Sequence, residues 1–187
     1  NKGDGVLIQV PVYHQFRRLI ESAGRKVVAN PLTLEDGQYL LDFDDFEAKL
    51  REDNVKIVLL CNPHNPVGRV WTQDELAKLV AIAAKYNVVV ISDEIHADIV
   101  FEGHQFNSIL TQNYDNVVSI IGSPAKNFGL NSIANGYLYT ENQARLEEIK
   151  STVASMALDH GNTLTNYATI AAYTQGQAWF EGFLALS

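Results

Sequence analysis

Cysteine, positive charge and long apolar runs are all scarce in this chain of 187 residues. The single cysteine, Cys61, excludes an internal disulfide and any metal site built from several cysteines. The longest apolar run, from Leu79 to Ala84, is far short of the roughly 18 residues that a membrane-spanning helix needs. The 14 basic residues are outnumbered by 22 acidic ones, so a net charge of −8 gives no sign of binding to nucleic acid or anionic lipid. We therefore expect no membrane or nucleic-acid partner and, without a signal peptide at the start, a cytoplasmic protein.

The pattern of apolar residues predicts an α/β fold. Apolar runs alternate with amphipathic segments, which is typical of a mostly parallel sheet with helices on both faces. Residues 34–41 are expected to form a loop. Both ends look cut, so we expect the chain to be part of a larger protein. Strands are predicted at residues 6–10, 26–29, 56–61, 88–91, 117–121 and 134–139, and helices at 13–23, 44–52, from 72 onward, 143–157, 165–174 and 178–186.

Three polar segments follow predicted strands: NPHNPVG at 62–68, SDEIHAD at 92–98 and SPAKNFGL at 123–130. The carboxyl ends of strands in such a sheet are where ligands bind. Each segment can also be explained without a ligand: the first as a rigid turn, the second as a solvated strand end and the third as a surface loop. Glu94, His96 and Asp98 share one face of an extended segment and suit a divalent metal, but they match no recognised ligand spacing, so we expect no metal site.

The order and spacing of these segments resemble the fold-type I enzymes that depend on pyridoxal 5′-phosphate (PLP), the aspartate aminotransferase superfamily. A narrower resemblance, to the MalY/PatB group of cystathionine β-lyases and other carbon–sulfur lyases, rests on PVY at 11–13, NPHNPVGRVW at 62–71 and DEIH at 93–96. AAY at 171–173, with the glycine and tryptophan that follow at 176 and 179, completes the pattern. The motifs span residues 3 to 179 and are more specific for the superfamily than for the subgroup.

The resemblance implies three residues that act on the cofactor directly. Lys126 matches the catalytic lysine that forms the Schiff base with PLP. Asp93 matches the carboxylate beside the pyridine nitrogen, and Asn65 matches the amide that bonds the phenolic oxygen. A buried anion beside the ring favours the protonated pyridinium, and a released lysine can act as a general base.

The resemblance implies three further cofactor contacts. Tyr13 matches the aromatic residue that stacks on the ring, and Ser123 matches a phosphate ligand. His96 stands where many aminotransferases have a tyrosine, and lyases of the subgroup commonly have histidine there. Many members of the wider fold have a basic phosphate ligand eight positions after the lysine, where this chain has Ala134.

The resemblance thus implies the large, PLP-binding domain of an enzyme over residues 1–187, with 141–187 leading toward an absent small domain. The leading hypothesis is a carbon–sulfur β-lyase, a homodimer that converts sulfur amino acids to pyruvate, ammonia and a thiol. An aminotransferase is the second hypothesis, and a PLP-fold binding or regulatory module without turnover is the third. A dinucleotide-dependent dehydrogenase fits poorly, because the glycines at 3 and 5 precede a strand rather than follow one. The phosphate loop and the substrate-binding arginine of the family are missing, so the chain alone is expected to be inactive.

Overall fold

A six-stranded sheet forms the centre of the protein. The computed structural model describes residues 1–112, 117–133, 135–158 and 161–186. The strands are β1 (Gly5–Val10), β2 (Lys26–Pro31), β5 (Val55–Cys61), β6 (Val89–Asp93), β7 (Val117–Gly122) and β8 (Tyr137–Tyr139), and β3 (Thr33–Glu35) with β4 (Gln38–Leu40) forms a separate hairpin. The sheet order is β2-β1-β5-β6-β7-β8. The pairs from β2 to β7 are parallel and β8 is antiparallel to β7, which confirms the predicted mostly parallel sheet.

Helices cover both faces of this sheet, as predicted. On one face, α1 buries Phe16 and Ile20 against Val6 and Ile8 of β1. On the other face, α2 and α3 pack over a larger apolar cluster that includes Leu60. Alternate residues of each strand point to opposite faces, so a strand covered on both faces is apolar throughout. The helices are α1 (His14–Ser22), α2 (Phe43–Glu52), α3 (Gln73–Lys85), α4 (Gln143–Ser155), α5 (Thr163–Gln175) and α6 (Gln177–Leu186), with a short 3₁₀ helix at Ile109–Thr111.

The segment at 34–41 is a hairpin, so the prediction of a loop was wrong there. Asp36 and Gly37 adopt positive φ angles of 48° and 80°, which the tight turn between β3 and β4 requires. The Asp-Gly pair was the available sequence signal. The strands were missed because they are short and mostly exposed, so no buried alternation marks them.

The remaining predicted elements are present with small shifts of their ends. The strand predicted at 88–91 is β6, which extends to Asp93 and so includes the first acidic residue of the polar segment. The strand predicted from Ala134 appears as β8, and Ala134 itself lies outside the described residues. In α4 to α6 only Ala172 is buried among the residues described, so these helices add little to the core. Among those residues, no helix is both long and apolar enough to cross a membrane.

A capping box starts α3 next to the polar turn that follows β5. The Thr72 hydroxyl accepts a hydrogen bond from the Glu75 backbone N–H at 3.2 Å, and the Glu75 carboxylate accepts one from the Thr72 N–H at 2.7 Å. The same carboxylate binds the Arg69 guanidinium through distances of 2.6 and 2.7 Å. The two bonds between Thr72 and Glu75 form a capping box, and the ion pair with Arg69 also ties the turn to the helix.

Replacing Thr72 with alanine should lower the free energy of unfolding by about 1 kcal/mol, because the Glu75 backbone N–H loses its acceptor. Thr152→Ala is the matched control, since Thr152 lies inside α4 and bonds only the Glu148 carbonyl within its own helix. That change should leave stability equal or slightly higher, because alanine is the better helix former. Urea denaturation of the full-length variants gives both values, and equal effects from the two changes would contradict the capping role.

Candidate active site

A cavity of about 190 Å³ lies where four neighbouring strands end. The strands β1, β5, β6 and β7 are adjacent in the sheet and parallel, so their carboxyl ends meet at one edge. Five of the six predicted site residues line this cavity, and Ser123 does not. The full lining comprises Tyr13, Cys61, Asn65, Asp93, Ile95, His96, Ala125, Lys126 and Asn131.

Asp93 is the last residue of β6 and places a half-buried carboxyl group in the cavity. Burial raises its pKa, while the Ile95 backbone N–H, His96 and Lys126 act in the opposite direction. The Ile95 N–H donates to Oδ1 at 3.1 Å, and no hydrogen bond to Oδ2 exists within the described residues. An ionised carboxyl group with this much burial and one free oxygen is well suited to hold a cation in the cavity.

Lys126 lies on a turn that directly follows β7. Its side chain is exposed at the cavity, while Ala125 and Asn127 on either side are buried. Ser123, also buried, fixes the start of this turn because its hydroxyl donates to the Asn135 carbonyl at 2.8 Å and accepts from the Ala125 N–H at 3.1 Å. Ser123 therefore stabilises the lysine turn in this structure, and its contact with a phosphate stays a prediction.

Asn62, the first asparagine of the NPHNP segment, is a structural residue. Its side chain is fully buried, donates to the Asn107 carbonyl at 2.8 Å and accepts from the Trp71 N–H at 3.2 Å. The Trp71 indole in turn donates to the Cys61 carbonyl at 3.0 Å. These bonds hold the turn after β5, so that the second asparagine, Asn65, faces the cavity.

His64 is a residue whose role the sequence did not indicate. Its ring is buried, and Nε2 lies 2.8 Å from the Pro11 carbonyl. Burial lowers the pKa of His64, so the ring is neutral near pH 7 and Nε2–H donates to that carbonyl. The bond joins the turn after β5 to the segment that carries Tyr13. No sequence signal could find it, because its partners are 53 residues apart.

Glu94 of the second polar segment and Cys61 at the end of β5 are both held by the surrounding protein. The buried Glu94 carboxylate accepts from the Ser108 hydroxyl at 2.8 Å and from the Ile109 N–H at 3.0 Å, and burial raises its pKa. Glu94 therefore anchors the 3₁₀ helix rather than facing a ligand with His96. No group of three or more metal-ligating side chains is found in the part of the chain that the structure describes. Cys61 is buried, and burial raises the pKa of its thiol to about 11.

His96 is half-buried at the cavity, near both Lys126 and Asp93. Burial lowers its pKa, the charge of Lys126 lowers it further, and the charge of Asp93 opposes both effects. A neutral imidazole has one N–H donor and one acceptor nitrogen, so it can bond a polar atom of a ligand without adding charge.

Known proteins match nearly the whole chain. A family model described as aminotransferase class I and II matches residues 1–181. Cystathionine β-lyase PatB of Bacillus subtilis is 33% identical over 181 residues, which are 96% of this chain and 47% of PatB. Protein MalY of Escherichia coli is 33% identical over 180 residues, or 96% of this chain and 46% of MalY.

The fold is matched equally well among solved structures. The crystal structure of the PLP-bound C–S lyase from Staphylococcus hominis superposes with a TM-score of 0.91 at 31% sequence identity. The match covers 100% of this chain and 47% of that one. This chain thus spans about half the length of the relatives that it matches.

Removing the charge of Lys126 should raise the pKa of His96. In Lys126→Met the imidazolium form no longer faces a nearby cation, so its protonation becomes easier, while burial continues to oppose it. Lys85→Met is the matched control, because Lys85 is exposed and pairs with Glu47 away from the cavity. Histidine NMR titration of the cofactor-free full-length protein, assigned with His96→Gln, measures the shift. An unchanged His96 titration in Lys126→Met would contradict the proximity of the two groups.

Proposed function

Because this chain belongs to the aminotransferase class I and II family, we propose that it is the cofactor-binding part of a PLP-dependent carbon–sulfur β-lyase. One observation carries the proposal: the cavity at the strand ends contains Tyr13, Asn65, Asp93, His96 and Lys126 together. The proposed substrates are sulfur amino acids of the cystathionine type. As part of the same proposal, residues 1–187 belong to the large domain of a cytoplasmic homodimer, and 141–187 lead toward a second domain.

The donor set of the cavity fits PLP. Asp93 supplies an anion with a free oxygen, and Lys126 supplies a primary amine. Asn65 supplies an amide that makes no side-chain hydrogen bond within the described residues, and Tyr13 supplies an aromatic ring on a residue that is 39% exposed. A planar ring with a basic nitrogen, an aldehyde and a phenolic oxygen matches these four groups. Fewer groups are available for its phosphate, because the Ser123 hydroxyl is engaged in the turn and the side chain of Ala134 has no hydrogen-bonding atom.

PLP, when bound, supplies an electron-withdrawing ring that stabilises negative charge at the substrate Cα. The role of Asp93 is to hold a proton at the ring nitrogen. Burial opposes ionisation of the Asp93 carboxyl group. The carboxylate therefore gains more from pairing with a cationic ring in this cavity than it would gain from the same pairing in water. Asn65 would bond the phenolic oxygen, with His96 beside it, and Tyr13 would orient the ring by stacking.

Lys126 has two roles in the proposed reaction. Its amine would attach the cofactor covalently between turnovers. When the substrate amine replaces it, the freed lysine takes the proton from the substrate Cα as a general base. Its position on a turn rather than inside a strand leaves the side chain free to move between these two tasks.

The choice between elimination and transamination is made after the Cα proton has left. Elimination follows when a thiolate leaves Cβ first, and transamination follows when Lys126 returns the proton to the cofactor side. Both reactions use the same residues of this chain. Two relatives supporting the lyase are the cystathionine β-lyase PatB and the C–S lyase of Staphylococcus hominis, whereas the family description names aminotransferases.

Replacing Asp93 with asparagine should slow turnover by about two to three decades. The neutral amide cannot stabilise a protonated ring nitrogen, and the loss of one charge-assisted bond in a dry site costs about 3–4 kcal/mol in the transition state. Asp36→Asn, in the exposed turn between β3 and β4, is the control and should keep normal rates. Steady-state kinetics of the full-length enzyme measure both, and near-normal turnover of Asp93→Asn would rule out the role of Asp93.

The full-length enzyme, given cystathionine and no keto acid, should release pyruvate, ammonia and homocysteine continuously. Elimination regenerates the starting form of the enzyme, so no second substrate is required. Coupled assays for pyruvate and thiol follow the reaction over many turnovers. A single stoichiometric turnover that restarts only after addition of a keto acid would identify an aminotransferase and overturn the lyase proposal.

A further inference from the structure

The residue after Lys126 is bonded to a different loop of the cavity. Asn127 is only 1% exposed, although its neighbour Lys126 is exposed. The Asn127 side-chain Nδ2 donates a hydrogen bond to Oδ2 of Asp98. Asparagine at this position is thus not a solvated loop residue, and its amide makes a specific contact 29 residues away in the sequence.

Asp98 belongs to the loop that follows β6 and carries His96 of the site. Backbone hydrogen bonds fold this loop into consecutive turns, from the Ala97 N–H to the Glu94 carbonyl at 2.9 Å and from the Ile99 N–H to the His96 carbonyl at 3.1 Å. A shift of Asp98 would therefore be transmitted to His96. The Asn127–Asp98 hydrogen bond joins the loop with His96 to the turn with Lys126.

Phe128 holds the other side of the lysine turn. Its ring lies 5.8 Å from that of Tyr173, 6.1 Å from that of Trp179 and 5.6 Å from that of Phe180. Gly176 allows this close approach, since a Cβ there would meet the Phe128 ring at 2.7 Å. The two residues after Lys126 are thus held in opposite ways, one by a polar bond and the other by aromatic packing.

A tyrosine hydroxyl adjoins the same asparagine. Burial, followed by the nearby Tyr137 and Asp98, raises the pKa of Tyr173 to about 12, so its hydroxyl stays protonated. That hydroxyl lies beside the Asn127 amide. The Asn127 amide opposes this rise by hydrogen bonding to the Tyr173 oxygen, and Asn127 Oδ1 is buried and accepts no hydrogen bond within the described residues.

We propose that Asn127 and Asp98 are positioning residues that set where the Lys126 amine stands relative to Asp93 and His96. This inference rests on the proposed function, because it concerns the reach of Lys126 toward the cofactor. Neither residue lines the cavity, so both act through the backbone of their loops. Small displacements matter for such a reaction, because a shift of about 1 Å in a reacting group can slow a step by about a hundredfold.

The test measures the rate at which Lys126 attaches PLP, independently of turnover. The cofactor-free full-length protein is mixed with saturating PLP and quenched with borohydride at timed intervals. Peptide mapping then quantifies the pyridoxyl group on Lys126. In Asn127→Ala and Asp98→Ala we expect attachment at least about tenfold slower than in the wild type. Asp98→Asn should recover most of the rate, because its amide oxygen can still accept from Asn127.

Asn30→Ala is the matched control for general destabilisation. Asn30 is also fully buried and donates to an aspartate, Asp45, at 2.8 Å. It lies on β2, and three strands separate β2 from β7 in the sheet. The folded fraction of this variant should attach PLP at the wild-type rate even if its melting temperature falls as far as that of Asn127→Ala.

Every outcome of the attachment experiment either supports or overturns the positioning role of Asn127 and Asp98. Wild-type rates in folded Asn127→Ala and Asp98→Ala, or an equal slowing in Asn30→Ala, would overturn the positioning role. If Asn127→Ala does not fold, slow attachment in Asp98→Ala with recovery in Asp98→Asn supports the role, and any other result overturns it. Labelling of a different lysine in the wild-type protein would instead refute the proposed function, and the positioning role of Asn127 and Asp98 would fall with it.

Discussion

The parallel pairing of β5 with β6 is the interaction on which the candidate site depends. Cys61 pairs with Asp93 at the end of this ladder, and the Asn62 N–H continues it to the Asp93 carbonyl at 3.0 Å. A slip by one residue would turn every side chain of a strand to the opposite face. The register therefore decides that the carboxyl group of Asp93 and the turn bearing Asn65 open into the same cavity.

Burial at this edge of the sheet controls the charges of the site. It raises the pKa of Asp93 and lowers the pKa of His96, so both side chains are shifted toward their neutral forms. The positive charge of Lys126 favours ionised Asp93 and opposes protonation of His96. An anion beside a neutral imidazole is the arrangement that a protonated pyridine ring and a phenolic oxygen would require in the proposed enzyme. The same low-dielectric surroundings destabilise an Asp93 carboxylate that has no cation beside it.

Hydrogen bonds between loops keep the polar residues of the site in place. His64 ties the turn after β5 to the segment before Tyr13, and Asn62 holds that turn to Trp71. The Asn127–Asp98 hydrogen bond does the same between the loops after β6 and β7. Each of these amide or imidazole groups is buried, so losing its partner would leave an unsatisfied polar group as well as a looser loop. The strands bring the loops together, and these bonds fix the loops relative to one another.

The sequence alone determined the class of fold, because buried strands such as β5 are apolar except for Lys56 near one end, and α3 carries its own capping box at Thr72. It also determined the family, since the motifs around Asn65, Asp93 and Lys126 occur in the right order and spacing. The mostly exposed strands of the hairpin at Asp36 and Gly37 show no buried alternation, so the Asp-Gly pair was the one local sign of it. Only the tertiary structure decided the contacts between loops, such as His64 with Pro11 and Asn127 with Asp98. Those pairs are distant in sequence and come together only after the strands have aligned, so no local pattern of residues contains them.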